Sequence, residues 1–161
     1  MIKISGGNKP CKDIFTDSLI FAANHRLEDY LIKKWKKKYK YLVSQRGLLD
    51  FFAFRLAEGI GVKESIKLLG DSELEAPDYI FYLECDVKTA LSRIKKDDKY
   101  ETSNFLKKLK KAFREILNEI EKKKLDIFSK TRVIRIDSTK SKKEIEKDIT
   151  TILKKDIIRN G

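Results

Sequence analysis

From Tyr41 to Gly59 the sequence YLVSQRGLLDFFAFRLAEG changes its hydrophobic period in mid-course, and that change constrains the fold more than any other feature of the chain. Tyr41, Leu42 and Val43 form a short apolar run of strand-forming types. Leu48, Leu49, Phe52, Ala53 and Leu56 then recur at intervals of three and four, which lays them along one helical face. The stretch reads as strand, loop and helix. In a parallel α/β sheet the loop leaving the carboxyl end of a strand faces the ligand crevice, so Ser44, Gln45 and Arg46 are expected there. The plainer alternative makes Arg46 a surface turn residue.

The rest of the chain repeats the theme. Met1 to Ser5 alternates apolar and polar residues and runs into Gly6-Gly7, a strand entering a glycine loop. Asp13 to Lys38 reads as one long amphipathic helix or two, with Ile14, Phe15, Leu19, Phe21, Ala22, Leu27, Leu31 and Ile32 inward. After Gly59 and Gly61 a small helix covers Val62 to Leu69. Tyr79 to Glu84 is a continuous apolar run, as in a parallel strand covered on both faces. Asp86 caps a helix with Val87, Ala90, Leu91 and Ile94 as its buried stripe. Asn104 to Lys124 specifies a long one-faced helix and Arg132 to Ile136 a last strand. Ser141 and Glu144 have capping-box spacing ahead of a helix carrying Ile145, Ile149, Ile152 and Leu153. Strand and helix alternate with no hairpin signal. The expected class is α/β with a parallel sheet and right-handed crossovers, in which Gly6, Gln45-Arg46, Cys85-Asp86 and Asp137-Ser138 gather along one edge.

A chain of 161 residues is expected to form a single domain spanning 1–161. No apolar run approaches the roughly eighteen residues of a membrane span and the N-terminus has no leader pattern, so a soluble, cytoplasmic protein is expected. Cys11 and Cys85 lack CxxC or CxxH neighbours, which points to reduced thiols and no metal site. A net charge of +12 favours anionic partners. Many lysines, Lys33 to Lys38 and Lys107 to Lys111, fall on helices where a solvated face explains them. Trp35, Tyr39 and Tyr41 interleave with the first cluster and are either core residues or stacking platforms for bases.

Phe21-Ala22-Ala23-Asn24-His25-Arg26, Ser44-Gln45-Arg46-Gly47, Ala53-Phe54-Arg55, Pro77-Asp78, Tyr100-Glu101 and Ile136-Asp137-Ser138 with Lys140 occur in the order of the motifs of the thymidylate kinases, P-loop nucleoside-monophosphate kinases that the chain resembles. The resemblance implies a three-layer parallel sheet with helices on both faces, lacking one edge strand, and a lid near residues 93–103. It implies that Phe21 stacks on the base, that Arg26 or His25 and Arg46 hold the monophosphate, and that Phe54, Gln45, Lys99, Asp137 and Lys140 line the nucleotide sites; for Phe21 and Phe54, on apolar helix faces, core packing is the competing reading. Without a gap it is His25 that falls on the family's arginine. Arg55 stands where the family has glutamine, a change expected to alter base recognition. Arg93, with Lys95, Lys96 and Lys99, would either neutralise charge on a transferring phosphate or simply sit in water. ATP and Mg²⁺ are implied for an active enzyme, as is a homodimer, for which the apolar face near Phe51, Phe52 and Leu56 is available.

The N-terminus aligns in two ways. Gly6-Gly7-Asn8-Lys9-Pro10 matches the loop after the family's second strand, which would remove the central first strand and its phosphate loop. Alternatively Met1 to Ser5 is that first strand and Gly6, Gly7, Asn8, Lys12 and Asp13 occupy the phosphate loop. The second is favoured because losing a central strand leaves buried backbone unpaired. On that alignment Lys12 survives as a catalytic cation, but Pro10 removes an N–H, Cys11 replaces a glycine and Asp13 stands where a metal-binding hydroxyl belongs. Gln45 replaces an aspartate expected to help order Mg²⁺. Phosphoryl transfer depends on positioning and charge, so activity is expected to be reduced or absent. The competing expectations are an active dTMP kinase and a non-enzymatic module that binds nucleic acid or a protein.

Overall fold

A computed structural model describes residues 13–70, 74–93 and 102–158. Asp13 opens the first helix, α1 (Ile14–Lys36): its carboxylate accepts from the Phe15 and Thr16 N–H groups at 3.4 and 2.8 Å, and Lys33, Lys34 and Lys36 complement the dipole at the other end. The helix is single and unbroken. Its inward face is only partly the expected one. Ala22 is buried and Leu31 and Ile32 half-buried as expected, but Ile14, Phe15, Leu19, Phe21 and Leu27 are exposed and Ser18 and Asp29 are buried instead. Apolar residues lie on every side of α1, so periodicity selects no stripe, and partners decide instead: Ser18 Oγ accepts from buried Arg55 at 2.6 Å and Asp29 Oδ1 from the Glu75 N–H at 2.6 Å.

Tyr41 to Val43 is not a strand. The segment is exposed, with Val43 97% accessible, and no strand pairs with it among the described residues. With no ladder to join among the described residues, three residues do not hold strand geometry. Beyond it, α2 (Leu48–Ala57) follows the reading more closely. Gly47 is its N-cap, and the Asp50 carboxylate reaches back to the Gly47 N–H at 3.1 Å. Leu49, Phe52 and Ala53 are buried and Leu48 and Leu56 half-buried. Phe51 is buried too, so neither Phe51 nor Phe52 can serve a second copy of the chain as expected. The helix stops where Gly59 adopts φ +97°, a conformation natural only to glycine. A short α3 (Val62–Leu69) follows and packs with α1 and α2.

The described sheet has two strands, β1 (Tyr79–Glu84) and β2 (Arg132–Asp137), parallel and in register from Tyr79 opposite Arg132 to Glu84 opposite Asp137. The crossover between them carries α4 (Val87–Arg93) and α5 (Ser103–Glu121). Thr102 caps α5, whose Ala112, Ile116, Leu117 and Ile120 are buried as their spacing demands. Tyr82 packs on Phe113 with ring centroids 5.4 Å apart. A short turn, Asp126–Phe128, then sets Phe128 against Phe52 at 6.0 Å. The covering of β1 is thinner than expected: Ile80 is buried, yet Leu83 is exposed. Likewise Val87 and Ala90 of α4 are half-buried and Leu91 exposed, and Ile94 lies outside the described residues. The Ser141–Glu144 capping box forms as read and opens α6 (Lys142–Ile152). Met1 to Ser5 lies outside the described residues.

Candidate functional site

Helices α1 and α2 meet around a buried cation. Arg55 on α2 is 1% exposed; its Nη1 donates to Ser18 Oγ at 2.6 Å, and Nη2 lies 2.7 Å from Glu58 Oε2 in an ion pair one turn along the same helix. Asp17 Oδ2 stands 3.9 Å from Nη1. Above the guanidinium sits Phe21, ring centroid 5.0 Å from the guanidinium carbon, with 40% of the residue still exposed. The cation therefore fixes one side of an aromatic ring that remains partly open. Nε of Arg55 is buried, with no hydrogen-bond partner among the described residues. None of this gives Arg55 direct access to a base; it lies beneath the ring, as a support.

One turn beyond Phe21, His25 is half-buried, its Nδ1 3.0 Å from Glu28 Oε2 and its ring edge-on to Phe51 at 5.0 Å. Burial pushes the imidazole below its ordinary pKa, against the pull of Glu28 and Asp50. Asp50 is itself pushed up by burial, with the Gly47 N–H and the Arg46 and His25 charges opposing. Arg26 is half-buried, Nη1 3.9 Å from Asp29 Oδ2. Gln45 and Arg46 are exposed in the loop before α2, and Arg46 holds φ +61°. An L-residue in that left-handed conformation is strained by about 1 kcal/mol, a feature concentrated at ligand sites. Phe54 turns its ring to Phe105 of α5, centroids 5.9 Å apart.

A second group collects at the carboxyl ends of the two strands. The Ser138 N–H donates to the Glu84 carbonyl at 2.8 Å, which brings Cys85-Asp86 and Asp137-Ser138 together as expected. Arg93, at the end of α4, donates from Nη1 to the Ser138 carbonyl at 2.6 Å. Asp137 accepts from the hydroxyl and the N–H of Thr139, which hold its carboxyl below the usual range. Lys140 pairs with Asp148 at 2.8 Å. Gln45-Arg46 follows no strand here, so no strand end carries it to this edge. Gly6, Gly7, Asn8, Lys12 and Lys99 lie outside the described residues. Asp13 is engaged as the cap of α1, its carboxylate on the N–H groups that a phosphate at that terminus would need.

Sequence reasoning missed Asp17, Ser18 and Glu58. The spacing of Arg55 and Glu58, three apart on one helix, was the available signal for that pair. Nothing local announced the partners on α1.

The thymidylate kinase family model matches residues 8–149 of the chain. A probable thymidylate kinase of Methanocaldococcus jannaschii is 33% identical over 140 residues, a match covering 86% of this chain and 67% of that protein. A second, from Methanobrevibacter smithii, is 27% identical over 127 residues, covering 78% of this chain and 61% of the relative. The matches thus span about two thirds of the length of these relatives. On this footing the chain belongs to the thymidylate kinase family.

Proposed function

We propose that the protein binds a deoxynucleoside monophosphate, dTMP or a close relative, and that its transfer of phosphate from ATP is reduced or absent. The observation that carries the reading is the half-open Phe21 ring resting on the buried Arg55 cation. A ring held from beneath offers its free surface to a base at little ordering cost. Arg46, with His25 or Arg26, would take the phosphate, and Arg46 is already fixed in its strained backbone. Asp13 favours the loss of transfer: a carboxylate capping α1 sets negative charge where the donor phosphates would approach. In an active enzyme, Lys12 with Arg93 and the basic residues of the lid, 93–103, would carry the charge, and ATP with Mg²⁺ would supply the phosphoryl group.

The wider reading is a P-loop kinase fold of three layers lacking one edge strand, a single cytoplasmic domain over 1–161. A homodimer would use α1 in place of the covered Phe51 and Phe52, because exposed Ile20 and Leu27, and Ala23 and exposed Tyr30, repeat at a heptad interval. The protein would be incubated with ATP, Mg²⁺ and dTMP and assayed for ADP, and its melting temperature followed with dTMP, dUMP, dGMP and ATP. Expected are a rise in Tm with dTMP that grows with concentration and disappears in Arg46→Ala, and little or no ADP. Turnover at ordinary kinase rates would overturn the loss of transfer, and the absence of any nucleotide shift would overturn the pocket.

A further inference from the structure

The last turn of α1 and the segment after it carry a feature that a monophosphate site does not use. Trp35, Tyr39 and Tyr41 are 44%, 59% and 47% exposed, in a stretch that also holds six lysines between residues 33 and 40. Lys33 is paired with Asp29 at 2.9 Å and Lys36 with Glu75 at 2.6 Å. No carboxylate pairs with Lys34, Lys37 or Lys38 among the described residues. Lysines at a helix C-terminus also offset its dipole, which accounts for charge there. It does not account for three accessible aromatic rings beside that charge. Residues 39–44 have no regular secondary structure, so the backbone around Tyr39 and Tyr41 is not committed to a ladder.

We propose that Trp35, Tyr39 and Tyr41, with Lys34, Lys37 and Lys38, form a binding site for single-stranded nucleic acid. Unpaired bases stack on aromatic rings without regard to sequence, while lysines a few ångströms away neutralise the phosphates between them. A duplex hides its base faces from such rings. An anionic membrane surface fits less well, because an interfacial helix segregates its lysines from its apolar face. Here Lys33, Lys34, Lys36, Lys37 and Lys38 flank Trp35 at successive positions and leave it no lysine-free face. Charge complementarity also runs through the molecule, with its net charge of +12. The site is separate from the monophosphate reading: Phe21 is fourteen residues from Trp35, about 20 Å along the helix.

Trp35 is the only tryptophan, so its fluorescence reports on this site alone. The whole protein would be titrated with a dT15 oligonucleotide, a 15-base-pair duplex, heparin, and vesicles of mixed phosphatidylserine and phosphatidylcholine. The expected result is quenching by dT15, with a binding constant falling with salt at a log–log slope of about −2 for three phosphates. The duplex and heparin should bind without comparable quenching, and excess dTMP should not displace dT15. The Lys34→Glu, Lys37→Glu, Lys38→Glu triple variant should weaken dT15 binding about a hundredfold near 0.1 M salt. Tyr39→Ala, measured by anisotropy of labelled dT15, should weaken it about tenfold. All four positions are exposed, and circular dichroism checks that the variants fold. Unchanged affinity in the triple variant, displacement by dTMP, equal quenching by heparin, or a Trp35 blue shift on vesicles with none of the dT15 response would overturn the proposal.

Discussion

Arg55 takes its charge into the interior only because Asp17, Ser18 and Glu58 surround it. Removing the cation alone leaves the largely buried Asp17 and Glu58 carboxylates without the charge they surround, and Arg55→Met should lower the stability measured by urea unfolding by about 3–5 kcal/mol. Adding Glu58→Gln to that variant should recover part of the loss, since the two substitutions share one interaction. His25 has the opposite relation to charge. Burial disfavours its protonated form in the folded chain, so below the ordinary value of 6.5 the unfolded chain takes up a proton that the folded one resists. Stability should therefore fall as pH drops through that range toward the lower folded pKa, and His25→Gln should flatten this limb in urea midpoints taken at pH 7.5, 6.5 and 5.5. Of these residues the sequence marked Phe21, His25 and Arg55 as chemically interesting. It gave Arg55 a role toward the base, whereas the side chain points its hydrogen bonds into the protein.

Among the elements, those with one unambiguous stripe were readable. The period of Ala112, Ile116, Leu117 and Ile120 in α5 allows only one inward face, and Ser141 with Glu144 specifies a helix start by hydrogen bonding within four residues. α1 shows where local reading stops. With apolar side chains all around, its orientation is chosen by long-range needs, the Arg55 guanidinium and the Glu75 N–H, which no window of the α1 sequence contains. Tyr41 to Val43 fails for a related reason, since strand-forming types make a strand only beside another. The cap of α1 is testable by itself. Asp13→Ala should cost about 1 kcal/mol in thermal or urea unfolding, the usual worth of an N-cap side chain. The dTMP-dependent rise in Tm should be unchanged, because Asp13 holds the helix rather than the monophosphate.

For the molecule as a whole, parallel pairing of β1 with β2 through a helical crossover was legible from the order of the segments, as was the meeting of the two strand ends, where Ser138 bonds to the Glu84 carbonyl. The placing of Arg46 was not, because it depended on a strand that does not form among the described residues. A chain of charge +12 repels itself when compact, so Tm should rise by a few degrees between low salt and about 0.5 M sodium chloride in differential scanning fluorimetry. The same global margin of stability gives Arg46 a longer consequence. Natural chains drift toward any substitution that relieves strain without penalty, and at φ +61° glycine or asparagine offers that relief. Descendants that no longer need a cation here should lose it early, so among related genomes the identity of this one position should sort lineages that still grip an anion from those that have let it go.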